Sequence, residues 1–156
     1  MTTPSIAPTA YAKDSTDFLK SKVSRDGNMV LAAGSVSVPS STASGTVIGL
    51  IPFQKGARLG YGSRVHTADL DSGTSVTFDI GYVYDDNVTY TNVANAFVAA
   101  STTPQTSGMI EMTAAAGMTW QAAADGWIAI TTGGGSTTTT GTVTFNLELS
   151  YDGNLL

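Results

Sequence analysis

From Thr74 to Tyr84 the chain alternates with a period of two. Val76, Phe78, Ile80, Tyr82 and Tyr84 fall on one side, and Thr77, Asp79 and Gly81 on the other. Successive side chains of an extended strand point to opposite faces, so this pattern describes a strand with one buried face and does not suit a helix. Gly141–Tyr151 repeats it: Val143, Phe145, Leu147, Leu149 and Tyr151 face in, while Thr142, Thr144, Asn146, Glu148 and Ser150 face out. Two such stretches, far apart in the chain, require a sheet with a buried side and a second layer to bury it.

The other segments extend this reading. Met29–Val38 is a strand of small residues, and Gly108–Thr113 and Trp127–Thr132 are further strands. Val47–Phe53 is apolar on both faces, as expected of a central strand, and Pro52 is expected to end its pairing. Ala57–Thr67 reads as one strand, with Leu59, Tyr61 and Val65 on one face and Gly60 and Gly62 on the other, where another chain, loop or bulge can approach closely. Val93–Ala100, rich in alanine, is expected as a short helix. Ala114–Ala124 reads as a loop with some strand character, and Thr131–Gly141 as an exposed, low-complexity loop. Some seven or eight strands with turn signals between them predict an all-β fold, a jelly-roll-like β-sandwich with at most one or two short helices. The sandwich is expected over 28–156. Residues 1–27 are expected to form an extended N-terminal arm, in which Asp14–Lys22 has the signals of a short helix anchored by Phe18, Leu19 and Val23.

Composition narrows the function. A chain of 156 residues suits one domain, and 42% apolar residues can fill its core. Only 12% are charged and the formal net charge is -5, which argues against a nucleic-acid partner or an anionic membrane surface. The absence of cysteine excludes disulfides and thiolate chemistry. The first residues lack the pattern of a signal peptide, and no apolar run is long enough to cross a bilayer.

The residue types that carry chemistry are sparse. His66, the single histidine, shares a strand face with Arg58 and Arg64, a cationic patch without an identifiable nucleophile beside it. Asp69, Asp71, Asp79, Asp85 and Asp86 lack the spacing of a calcium loop and read as turn residues whose carboxylates accept backbone N–H groups. Asp79 and Glu148 would have to converge to hydrolyse a glycoside. Gly133–Gly135 lacks the lysine that completes a phosphate loop. Trp120 and Trp127, with Tyr11, Tyr82, Tyr84 and Tyr90, are candidates for a sugar-stacking platform if their faces open on one sheet. No enzyme activity, metal or cofactor is expected.

The stretch from Val47 to Gly81 also resembles a known group. Its apolar strand, the turn Lys55-Gly56-Ala57-Arg58, the link from Thr67 to Gly73 and the strand Thr77-Phe78-Asp79-Ile80-Gly81 are similar to the head decoration, cement or capsid-stabilising proteins of tailed bacteriophages. The match covers about the second quarter of the chain, with a looser one in the last third. The resemblance implies a structural protein on the outer surface of a virion, assembled in the host cytoplasm. It would bridge neighbouring major capsid proteins and associate with itself as a trimer, or else a dimer. The residues expected to make the contacts are Tyr11, Phe18 and Leu19 in the arm and Arg58, Arg64 and His66 on the strand face. The rival expectations are a carbohydrate- or receptor-binding sandwich, and a tail or vertex structural protein.

Overall fold

The structure, a computed structural model, describes Ile6 and residues 29–151. The described residues form β1 (Met29–Val38), β2 (Val47–Phe53), β3 (Ala57–Leu59), β4 (Arg64–Thr67), β5 (Thr77–Tyr84), β6 (Val93–Ser101), β7 (Gly108–Glu111), the single helical turn α1 (Ala115–Met118), β8 (Gly126–Gly133) and β9 (Gly141–Tyr151), with a 3-10 turn at Thr103–Gln105. Their antiparallel pairings are nested. β5 pairs β6, β4 pairs β7, β2 pairs β8 and β1 pairs β9. The chain is thus one long hairpin, with its tip between β5 and β6. Rolled on itself, the hairpin gains three further contacts: β9 with β3 and with β4, and β5 with β8. The result is two packed sheets, β1-β9-β4-β7, with β3 also on β9, and β2-β8-β5-β6. This is the jelly-roll form of the β-sandwich.

The alternating strands do what their pattern requires. Val143, Phe145, Leu147, Leu149 and Tyr151 of β9 are all buried, and burial of each large side chain contributes roughly 1.5–3 kcal/mol. Phe78 and Ile80 of β5 face Thr132 and Ile130 of β8, and all four are buried.

Four local expectations are corrected. Val93–Ala100 is strand β6, not a helix, and Ala96, Phe97 and Val98 are buried. Helix propensity is a weak local preference, and a segment this short gains more from pairing with β5. Its two ends are tied to that strand: Asn92 Oδ1 accepts the Tyr84 N–H at 2.7 Å, and Asp79 Oδ1 accepts the Ala100 N–H at 2.6 Å. Second, β2 is buried on both faces but lies at the edge of its sheet, where Ile6 covers part of the edge. The Ile6 N–H donates to the Val47 carbonyl at 3.3 Å, and the Gly49 N–H to the Ile6 carbonyl at 2.6 Å. Third, Pro52 does not end the pairing and stays in register opposite Trp127. An edge strand tolerates proline, because the missing N–H can fall on the unpaired side.

Fourth, Ala57–Thr67 is two short strands. Between them the chain loops around Glu148, whose carboxylate accepts the Gly62 N–H at 3.2 Å, while the Glu148 N–H donates to Ser63 Oγ at 3.0 Å. A Cβ at Gly60 would meet the Glu148 Cβ at 2.7 Å, and one at Gly62 its Cδ at 2.7 Å, so both glycines make room for this side chain. The loop turns Tyr61 outward, where it is 75% exposed. The threonine-rich loop before β9 is mostly exposed, as expected, and is anchored at one buried residue. Thr137 is buried, donates to the Pro39 carbonyl at 2.7 Å and accepts the Thr42 N–H at 2.9 Å.

The β4–β5 connection winds around one buried carboxylate. Asp71 accepts N–H bonds from Gly73 at 2.9 Å, Ser75 at 2.8 Å and Val76 at 2.9 Å, with hydroxyls of Ser75 and Thr138 beside it. The N–H groups of Val76, Ser75 and Gly73, in that order, hold this carboxyl well below the usual carboxylate range. A depressed folded-state pKa stabilises the fold above the unfolded value of about 3.9, and that stabilisation is lost as the pH falls below it. Asp71→Asn should therefore lower Tm near neutral pH by a few degrees. It should also flatten the loss of stability between about pH 4 and about pH 2. Parallel acid profiles for the two proteins would show that another carboxylate controls this transition.

Candidate interaction surface

The strands that form the outer face of the five-stranded sheet bring the predicted patch residues into one region. Arg58 lies opposite Ser150, Arg64 between Asn146 and Glu111, and His66 between Thr144 and Met109. All three side chains are exposed. The row is less cationic than its own strand suggests. Arg64 Nε lies 3.7 Å from Glu111 Oε1, with the two side chains 58% and 63% exposed. Arg58 donates to Gln121 Oε1 at 3.4 Å. Glu111 belongs to β7, far along the chain, and only the β4–β7 pairing places it there. Tyr11, Phe18 and Leu19 lie outside the described residues.

Past the Arg64–Glu111 pair the surface dips into a groove lined by Tyr61, Ser63, Met112, Thr113 and Met118. It continues into an apolar notch with Leu59 and Phe97 on its walls. The Tyr61 hydroxyl donates to Met118 Sδ at 3.3 Å, so the exposed ring is held in place across the groove. Sequence reasoning placed Tyr61 on one strand face with Leu59 and Val65 and missed this groove. The available signal was the pair of glycines around Tyr61, which interrupts the strand.

The remaining candidates serve the fold. Trp120 stacks on Tyr82 at 5.1 Å and meets the rings of Phe53 and Phe97 edge-on at 5.1 and 5.3 Å. Trp120, Trp127 and Tyr84 are buried, so these rings pack within the protein instead of forming an open sugar platform. Asp79 and Glu148 stand on strands of different sheets, each bonded to a backbone N–H, and do not form a catalytic pair. Asp69 accepts the Asp71 N–H, and Asp86 accepts those of Val88 and Thr89. Among the described residues no three His, Asp or Glu side chains gather as a metal site.

The sequence matches no family model and no curated protein. Two solved structures are similar in fold. A chain in the capsid of Ralstonia phage GP4 superposes with a TM-score of 0.67 at 20% identity, over 81% of this chain and 86% of that one. A chain in the capsid asymmetric unit of cyanophage Pam1 superposes with a TM-score of 0.62 at 18% identity, over 83% of this chain and 89% of that one. At these identities the likeness establishes a shared fold: the two-sheet architecture of this chain also occurs, over about four fifths of its length, in chains of two phage capsids.

Proposed function

We propose that this chain is a structural protein of a tailed-phage head, which decorates the capsid and stabilises it by bridging neighbouring major capsid proteins. The observation that carries the reading is the fold shared, over about four fifths of the chain, with chains of two phage capsids. The sequence resemblance between Val47 and Gly81 supports it independently. A protein that binds the assembled lattice and not the free subunit stabilises the lattice by mass action, and many weak copies act together. Copies gather as trimers, or dimers, about a rotation axis. Arg58 and His66, with Arg64 at the margin, form the capsid-facing contact, and the arm carrying Tyr11, Phe18 and Leu19 provides a second.

Quantifying the protein in purified particles tests this. A copy number in proportion to the major capsid protein is expected, whereas a handful of copies would assign it to a vertex or the tail. Heads lacking the protein should rebind it when it is added back. Reversing the charge at Arg58 and Arg64 together should weaken that rebinding roughly tenfold. Unchanged occupancy would remove this face from the contact.

A further inference from the structure

We propose that the row Leu31, Glu148 and Tyr61, on the outer face of the five-stranded sheet, is the docking site of the chain's own basic segment, residues 18–25. The proposal goes beyond the capsid reading and does not depend on it. Leu31 of β1 lies directly opposite Glu148 of β9, so the two side chains share a face. The β3–β4 loop passes on the other side of Glu148, where the Gly60 N–H donates to the Glu148 carbonyl at 2.7 Å. Leu31 and Tyr61 are 62% and 75% exposed, and the bond to Met118 already orients the Tyr61 ring. Large exposed apolar side chains grouped on a surface mark a place where something docks.

The carboxylate between them indicates what docks. Gly60 and Gly62 leave room for the Glu148 side chain, and its Oε2 accepts the Gly62 N–H at 3.2 Å. Its Oε1 accepts no hydrogen bond among the described residues. The cations on this face are turned elsewhere: Arg64 lies 3.7 Å from Glu111, and Arg58 donates to Gln121 at 3.4 Å. A carboxylate held in place with one oxygen open fits a lysine or arginine side chain. Its apolar flanks fit a segment in which cations stand next to large apolar residues.

Residues 18–25, outside the described residues, have this composition. They hold Phe18, Leu19 and Val23 with Lys20, Lys22 and Arg25, three of the chain's seven cations and none of its twelve acids. The rest of the chain is therefore strongly acidic and attracts them. The segment also leads directly to the site. Met29 begins β1 opposite Ser150, two residues along β9 from Glu148, a separation of about 8 Å. The four steps from Arg25 to Met29 span up to about 13 Å when extended, enough to return Arg25 or, farther back, Lys22 to Glu148. Phe18, Leu19 and Val23 then cover Leu31 and Tyr61. A tether this short gives an effective concentration in the millimolar range, so weak contacts suffice. The docked segment belongs to the unattached protein, because the capsid contact assigned above to Phe18 and Leu19 competes with it.

Trypsin cuts after Lys20, Lys22 and Arg25, so it reports docking in the purified full chain. The wild type should be cut slowly there. Leu31→Ser together with Glu148→Gln should speed those cuts about tenfold while the circular dichroism stays unchanged. The glutamine keeps an acceptor for the Gly62 N–H, so the loop stays in place. Thr144→Ala, on the same face, should leave the rate unchanged. A carbodiimide, which joins a lysine amine to a carboxylate with loss of water, should link Lys20 or Lys22 to Glu148 within the monomer. In a mixture of isotope-labelled and unlabelled chains, each linked product should carry one label state only. Equal cleavage of the double variant and the wild type, or the absence of any link to Glu148, overturns the proposal. Links of mixed label would place the segment on a second copy and overturn the assignment to its own chain. The head-rebinding assay judges the capsid reading separately.

Discussion

Phe145→Ala should destabilise the protein by about 3–5 kcal/mol, a large share of the roughly 5–15 kcal/mol that holds a domain of this kind together. β9 lies inside its sheet, with β1 on one side and β3 and β4 on the other. Phe145 is 1% exposed, and its neighbours in register are Gly34 on β1 and Val65 on β4. Gly34 has no side chain to move into the space the ring would leave, and Val65 is short and stiff at χ1. The cavity therefore stays open, and the cavity adds to the lost transfer energy. Denaturant unfolding should show a lower midpoint with an unchanged m-value. A loss below about 1.5 kcal/mol would mean that the core closes over the gap, contrary to this packing. Thr144→Ala, on the exposed face of the same strand, is the control and should stay within about 0.5 kcal/mol.

The second large effect is expected at Gly81. Its outward pattern with Thr77 and Asp79 suggests solvent, but the first residues of β6 cross directly over it. A Cβ there would collide with the Val93 carbonyl and the backbone of Ala94. The register between β5 and β6 shifts on either side of Ile80, which is how the crossing strand accommodates this approach. The obstacle is backbone and not the end of a flexible side chain, so the cost of Gly81→Ala should reach about 3 kcal/mol, the upper end for overpacking. Gly81→Val should be worse still. Hydrogen exchange should locate the damage, with faster exchange along Val93–Ser101 than along β1 and β9. A Gly81→Ala protein as stable as the wild type would show that β6 can lift away without loss.

The candidate surface was only half legible. Arg58, Arg64 and His66 follow from alternation within their own strands. Glu111 beside Arg64, and the outward turn of Tyr61 towards Met118, follow from pairings between residues remote in the chain. The aromatic residues were legible as a group. Whether they formed a platform or a core depended on where the loop after β7 brought Trp120, and it places that ring against Tyr82, Phe53 and Phe97.

By itself the sequence determined the all-β class, the inward and outward faces of β9 and of the first half of β5, and the turns built on aspartate. One-sided burial imprints a period of two on any strand, and an Asp side chain reaches its own neighbouring N–H groups whatever the rest of the chain does. Only the tertiary structure decided that the alanine-rich segment is β6, that β2 with Pro52 is an edge, that Glu148 splits one expected strand into two, and which charges share a surface. Each of those outcomes depends on a partner brought close by the nested pairing of distant strands, and no local window of residues contains that partner.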